Sequence, residues 1–329
     1  MIIPRPLAKG DSIGVTAPSF GVTDPTDIAR FANARRRLED RGYRVVETPD
    51  VYSCFDDEGR SAPAEQRVEE LQSLMSDGGT SYIVSAKGGD YQFEMLPLMD
   101  WDLVERNPKW VQGYSDNTTL LFKITAEHDI ATVYGGNFGD YGMEPWHRSV
   151  SECLEVIEGT RRSQASFPYH EGGFSDRVTG LEGLNEEVPT VWGGEGSFTG
   201  RLIGGCMDVL EWFHAKGTAD PSPFVESYSD EGIVWYMETY DMDDSRVVRM
   251  LEGMASDGWF DGVTGFVFGR PLFYSGRDYA ETVRETLDQF DVPVITDADV
   301  GHKAPRMTFV NGAVARFDVS GGKASLNYL

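Results

Sequence analysis

The sequence predicts an α/β protein: an N-terminal parallel-sheet domain of flavodoxin-like type, followed by a smaller C-terminal mixed α/β domain. Three observations lead there. Short β-rich runs alternate with amphipathic helical stretches through the first half of the chain, the pattern of a parallel sheet with helices on both faces. From about 158 to 196 this pattern dissolves into Gly, Ser, Glu and Pro before apolar periodicity returns. The length, 329 residues, suits two domains that each bury a core. The expected division is 1–165, an interdomain connection at 166–196, and 197–329.

Residues 12–19 form a β-rich run closed by Pro18 and Ser19, and 27–40 carries Ile28, Phe31, Ala32 and Leu38 at helical spacing. Residues 43–47 read as a strand, and 64–75 as a helix with Val68, Leu71, Leu74 and Met75 in one stripe. A third strand follows at 82–86. A short apolar run at 110–113 turns at Ser115 into a helix over 116–127, and 131–134 is a further strand. In the second half, 202–213 includes a short helix, 232–237 is a strongly apolar strand, and 245–254 is a helix. Strands at 263–268, 292–295 and 308–318 flank a helix at 279–290.

The net charge is −25, from 54 acidic and 29 basic residues. Such a surface repels nucleic-acid polymers and anionic membranes, so neither is expected as a partner. With only seven lysines, it also suits a salt-rich milieu where screening suppresses self-repulsion, although a high-GC genome equally favours Arg over Lys. No apolar run approaches the roughly 20 residues that span a bilayer. Residues 1–6 lack the apolar segment of a signal peptide, so a cytoplasmic location is expected. Cys54, Cys153 and Cys206 are odd in number and widely spaced, which fits reduced, mostly buried thiols and neither a disulfide framework nor a metal motif.

The stretch Trp110-Val111-Gln112-Gly113-Tyr114-Ser115-Asp116-Asn117 has the form of a nucleophile elbow, a strand, a sharp turn and a helix that expose a serine hydroxyl. The helix start aims free N–H groups at the same point, so the N–H of Asp116 is placed to hold an oxyanion. Asn117 stands where a second glycine is usual. The alternative is that Ser115 or Asp116 simply caps the helix. A serine nucleophile needs a base and a group that orients it. His302 follows a strand and a loop, where a base can reach across a cleft, or where an imidazole is simply polar surface. Glu238 ends the most apolar strand of the second half and must be paired there, with an imidazole, an arginine or a helix end. No glycine cluster spells a dinucleotide or P-loop fingerprint, which rejects a nucleotide-dependent oxidoreductase.

Gly14-Val15-Thr16-Ala17-Pro18, Lys87-Gly88-Gly89, Gly113-Tyr114-Ser115-Asp116, Gly200-Arg201-Leu202-Ile203-Gly204-Gly205-Cys206, Glu238 and Gly301-His302 occur in one order. That set resembles the LD-carboxypeptidase family of serine peptidases, peptidase family S66, over nearly the whole chain. The resemblance implies a triad of Ser115, Glu238 and His302, oxyanion donors at Asp116, Gly88 and Gly89, a homodimer, and no metal or cofactor. Two turns depart from the family pattern, Gly88-Gly89-Asp90-Tyr91 and Gly135-Gly136, and both bear on substrate preference. The family includes murein LD-carboxypeptidases, which release a terminal D-alanine from a tetrapeptide. It also includes microcin C immunity proteins, which cleave a peptidyl- or aminoacyl-nucleotide amide.

The segment 188–196 resembles the immunity-protein loop whose tryptophan stacks on the nucleobase, with Trp192 at the matching place and Phe198 nearby. The expectation is therefore an immunity-like amidase, with Trp192 and Phe198 binding substrate. A tryptophan packing the domain junction is the alternative. A binding protein without turnover is a further reading, opposed by the presence of all three triad side chains.

Overall fold

The computed structural model describes residues 1–329. The first half runs β1 (Ser12–Thr16), α1 (Pro25–Glu39), β2 (Arg44–Glu47), α2 (Ala64–Ser76), β3 (Thr80–Ser85), α3 (Trp101–Arg106), β4 (Trp110–Gly113), α4 (Thr118–His128), β5 (Thr132–Tyr134) and α5 (Arg148–Ile157). The five strands pair in parallel in the order β5-β4-β3-β1-β2. Thr16 pairs with Ser85, and Gly113 with Tyr134, so the turns after these strands open along one edge of the sheet. Local chemistry sets the helices. Asp24 accepts the N–H of Thr26 and Pro25 fits the first turn, which starts α1. A side chain on Gly14 would meet Leu74 at 2.9 Å, so this glycine lets α2 lie against β1.

The chain continues with β6 (Ser163–Ala165), which ends the first portion, and then β7 (Tyr169–His170), β8 (Val188–Pro189), β9 (Gly196–Cys206), α6 (Met207–Lys216), α7 (Ser222–Tyr228), β10 (Ile233–Glu238), β11 (Asp241–Asp243) and α8 (Asp244–Ser256). It ends with β12 (Val263–Gly269), β13 (Phe273–Ser275), α9 (Tyr279–Leu287), β14 (Val294–Ala298), β15 (Phe309–Asn311), β16 (Val314–Ser320) and β17 (Lys323–Tyr328). A seven-stranded sheet has the order β14-β12-β10-β9-β16-β17-β6, parallel from β14 to β9 and antiparallel beyond. β7 with β8, and β11 with β13, form two-stranded ribbons.

The observed elements differ from the sequence reading in three places. The segment from 202 onward is strand as far as Cys206, and the helix starts at Met207. A side chain on Gly204 would overlap the carbonyl of Tyr236, and one on Gly205 would strike Thr118 at 2.4 Å. Those two glycines therefore let β9 lie between β10 and α4. The 158–196 segment contains β6, β7 and β8, and β17 closes the chain. The two sheets also exchange strands: β15 joins the first sheet antiparallel to β5, while β6 joins the second beside β17.

The larger apolar core runs through both halves. Phe122 of α4 lies 5.8 Å from Phe213, 6.0 Å from Trp235 and 5.8 Å from Trp259, ring centre to ring centre. The helix behind Ser115 is thus bedded in the second half of the chain. No helix is long and apolar enough to cross a membrane.

Candidate active site

Ser115 follows β4 with φ 66°, a left-handed conformation that a non-glycine residue holds only against roughly 1–3 kcal/mol of strain. Its surroundings fix it. The Ser115 N–H donates to the Tyr134 hydroxyl at 3.1 Å. Asn117 Nδ2 donates to the carbonyls of Tyr114 at 3.0 Å and Lys87 at 3.2 Å, and Asn117 Oδ1 accepts from Gln92 Nε2 at 2.9 Å. The residue in place of the second glycine therefore ties the elbow to the turn after β3. Gly113 makes room for it, since a side chain there would sit 2.7 Å from the Asn117 Cβ.

Neither Ser115 nor Asp116 caps α4 with its side chain. Asp116 is buried and its Oδ2 accepts the Gln92 N–H at 3.0 Å. Burial pushes its carboxyl above the ordinary aspartate value, with hydrogen bonds from Ser19 and Gln92 opposing part of the shift.

His302 comes from the turn after β14. Gly301 before it has φ 99°, and a side chain there would lie 2.4 Å from Glu238 Oε2, so a glycine is needed for the imidazole to reach the carboxylate. His302 Nδ1 lies 2.7 Å from Glu238 Oε2, and His302 Nε2 lies 3.0 Å from Ser115 Oγ. With the carboxylate accepting at Nδ1, that nitrogen carries the proton and the Nε2 lone pair faces the serine hydroxyl.

Glu238 ends β10 with no exposed surface. Its second oxygen accepts from the Tyr134 hydroxyl at 2.5 Å. Burial pushes the Glu238 carboxyl up, but His302, the Tyr134 hydrogen bond and the charge of Arg306 outweigh it and hold it below the ordinary glutamate value. Burial, together with the Glu238 charge, raises the Tyr134 hydroxyl well above the usual tyrosine range, so it stays a donor. The rings of Tyr114 and Tyr240 flank His302 at 5.2 and 5.0 Å.

The turn after β3 lies beside the serine: a side chain on Gly88 would meet Ser115 Oγ at 3.2 Å and the Asp116 nitrogen at 3.8 Å. Ser115, Asp116 and His302, together with Gly88 and Gly89, thus border one cleft, and Glu238 is buried behind His302. That cleft has two lobes that meet at Tyr114, Asn137, Phe174 and His302. One, of 410 Å³, holds Ser115, Gly89 and the aromatic rings of Phe20, Phe93, Trp212 and Tyr240. The other, of 440 Å³, lies beyond His302 and is bordered by Lys87, Asp140 and Arg306.

Trp192 and Phe198 are elsewhere, which corrects their expected contact with substrate. Trp192 is 1% exposed; its indole N–H donates to Asp299 Oδ2 at 3.0 Å, and Asp299 also pairs with the buried Arg270 at 2.8 Å. Phe198 stacks on Phe317 at 5.3 Å inside the second sheet's core. Neither borders either lobe. Two of the aromatic residues that do border them follow strand ends, Phe20 after β1 and Tyr240 after β10, and that position was the available signal. Tyr134 and Asn117 were also missed, because strand-end and helix-start residues of these types are commonplace. The three cysteines are free, with Cys153 and Cys206 buried and Cys54 exposed. No group of three or more His, Cys, Asp or Glu side chains is arranged to hold a metal ion.

Comparison with known proteins identifies the family. The model of the LD-carboxypeptidase N-terminal domain matches residues 13–135, and that of the C-terminal domain matches 199–317. A Vibrio cholerae protein named as a carboxypeptidase is 26% identical over 97% of this chain and 95% of its own. The microcin C7 self-immunity protein MccF of Escherichia coli is 25% identical over 99% of this chain and 95% of its own. A solved structure of MccF in complex with aspartyl sulfamoyl adenosine has a TM-score of 0.81 at 23% identity, over 99% of this chain and 98% of that one. That likeness establishes the fold. Because the two domain models, in order, account for well over half of its residues, the chain belongs to the LD-carboxypeptidase family, peptidase family S66, and is a serine hydrolase.

Proposed function

We propose that the chain hydrolyses an amide by acyl transfer through Ser115. The observation that carries this is the relay in which Glu238, His302 and Ser115 follow one another at 2.7 and 3.0 Å. His302 takes the Ser115 proton as Oγ attacks the carbonyl, and Glu238 stabilises the resulting imidazolium. The Asp116 N–H and the Gly88–Gly89 turn receive the oxyanion. His302 then protonates the leaving amine, and water releases the acyl group by the same steps in reverse order.

The substrate we favour is a small peptide cleaved at its carboxyl end, as in murein LD-carboxypeptidases. The sequence-based case for an aminoacyl- or peptidyl-nucleotide rested on Trp192, which is buried against Asp299. The nucleotide reading keeps one specific support: Phe93 and Trp212, with ring centres 4.9 Å apart, border the serine lobe and offer faces for a base. Base stacking of that kind contributes about 1–3 kcal/mol. A homodimer belongs to the same proposal, on the strength of the family resemblance, and light scattering decides it.

The test is hydrolysis of a murein L,D-tetrapeptide and of an aminoacyl-sulfamoyl adenosine side by side, at low and high salt, with Ser115→Ala as control. Cleavage of the tetrapeptide, lost in Ser115→Ala while circular dichroism stays unchanged, is expected. Cleavage of the adenosine conjugate alone would assign the immunity-type role. Equal rates for the variant and the parent would remove Ser115 from the chemistry.

A further inference from the structure

The two lobes of the cleft differ in charge. The serine lobe carries the carboxylates of Asp90, Asp116 and Asp208 and no lysine or arginine. Every cation that borders the cleft lies in the lobe beyond His302. Most of those cations are already engaged. Lys87 Nζ pairs with Asp27 at 2.7 Å, Arg177 Nη1 with the same carboxylate at 3.6 Å, and Arg30 donates to the carbonyls of Gly139, Gly180 and Glu182.

Arg306 is built differently. Its side chain is 11% exposed, its Nε donates to the Gly301 carbonyl at 2.9 Å, and its Nη1 pairs with Asp140 at 2.6 Å. The guanidinium carbon stands 4.1 Å from the centre of the Tyr114 ring. These contacts fix the plane of the guanidinium, while its Nη2 makes no hydrogen bond within the protein and the residue borders the lobe. A held fork with a free N–H pair is suited to a carboxylate oxygen.

On the proposed hydrolysis, on which this inference rests, the leaving amine forms at His302. An amino acid that leaves there carries its carboxylate on the carbon next to that nitrogen. We infer that Arg306 receives the C-terminal carboxylate of the leaving residue. The substrate is then a peptide with a free carboxyl end, whose last residue occupies the lobe beyond His302 and whose amine-bearing portion lies toward the acidic serine lobe. Glu171, Asp176 and Glu182 border the same lobe, so a polyphosphate meets repulsion there that a single carboxylate at Arg306 does not.

The experiment compares a murein-type tetrapeptide ending in D-alanine with the same peptide ending in D-alaninamide. Each is tested on the parent, Arg306→Gln and Arg306→Lys, with folding checked by circular dichroism. The parent should prefer the acid by roughly 10- to 100-fold in kcat/KM, the size expected for a charge-assisted hydrogen bond. Arg306→Gln should bring the ratio close to one, and Arg306→Lys should restore part of it. A parent ratio near one, or a ratio unchanged in Arg306→Gln, overturns the inference. So does an equal loss on both peptides, because that is what a mere prop for Gly301 would produce. If the variants do not fold, competitive inhibition of the parent by D-alanine and by D-alaninamide decides: tighter inhibition by the acid supports the assignment, and equal inhibition refutes it. If the parent cleaves neither peptide, the hydrolase reading fails by itself, and calorimetric binding of the acid and the amide to the parent still supports or overturns the carboxylate site.

Discussion

Tyr134→Phe removes one oxygen from the centre of the site and should cost more than its size suggests. Its hydroxyl donates to Glu238 at 2.5 Å and accepts the Ser115 N–H at 3.1 Å. A hydrogen bond to a buried charge is worth about 1.5–3 kcal/mol, and an orphaned backbone N–H adds about 1 kcal/mol. The sum, about 2.5–4 kcal/mol, should appear as lost stability in urea unfolding at pH 7. The pH dependence has a definite sign. The folded Glu238 carboxyl lies below its unfolded value, so it contributes stability above that value and loses the contribution as pH falls through its folded range. Without Tyr134 the folded carboxyl titrates higher, so the gap between parent and variant should be widest at neutral pH and narrow as pH falls from the variant's folded range to the parent's lower one. Activity should fall too, because the Ser115 backbone is held at φ 66° in part by that hydroxyl. A stability loss under about 0.5 kcal/mol, or a gap that does not change with pH, would refute the claim that Tyr134 supports the carboxylate.

Two further substitutions separate catalytic from structural roles. On the proposed relay, Glu238→Gln should lower kcat by about 10³–10⁴-fold with KM nearly kept, because the imidazolium loses its partner and the tautomer is no longer fixed; steady-state kinetics with an unchanged kcat would remove Glu238 from that relay. Trp192→Phe should lower stability by about 1–2 kcal/mol through loss of the Asp299 hydrogen bond, while leaving KM for either substrate unchanged. A raised KM for the adenosine conjugate alone would return Trp192 to the binding surface.

Much of the candidate site was legible because its parts are local. Ser115 stands at a strand-to-helix turn, Glu238 at the end of an apolar strand, and His302 after Gly301, and each position is marked by its immediate neighbours. The oxygen that joins them, on Tyr134, is not marked. It lies at the end of a short strand, and nothing nearby in sequence shows that a carboxylate a hundred residues away will need it. Trp192 was misread for a related reason: its loop looks open in sequence, and only the fold reveals the Arg270–Asp299 pair that draws the indole inward. The exchange of β15 and β6 between sheets was equally hidden, since each is three residues long and its partners lie far along the chain.

That exchange makes the chain resemble two hands each wearing a finger of the other's glove. A cut in the connecting segment would leave the first sheet dependent on residues 309–311 from the second piece, and the second sheet dependent on residues 163–165 from the first. The gene is therefore poorly divisible. Neither portion carries all the strands of its own sheet, so an ancestral fusion of two free-standing modules would have had to rewire both, and a split version should regain its site only when both fragments are renatured together.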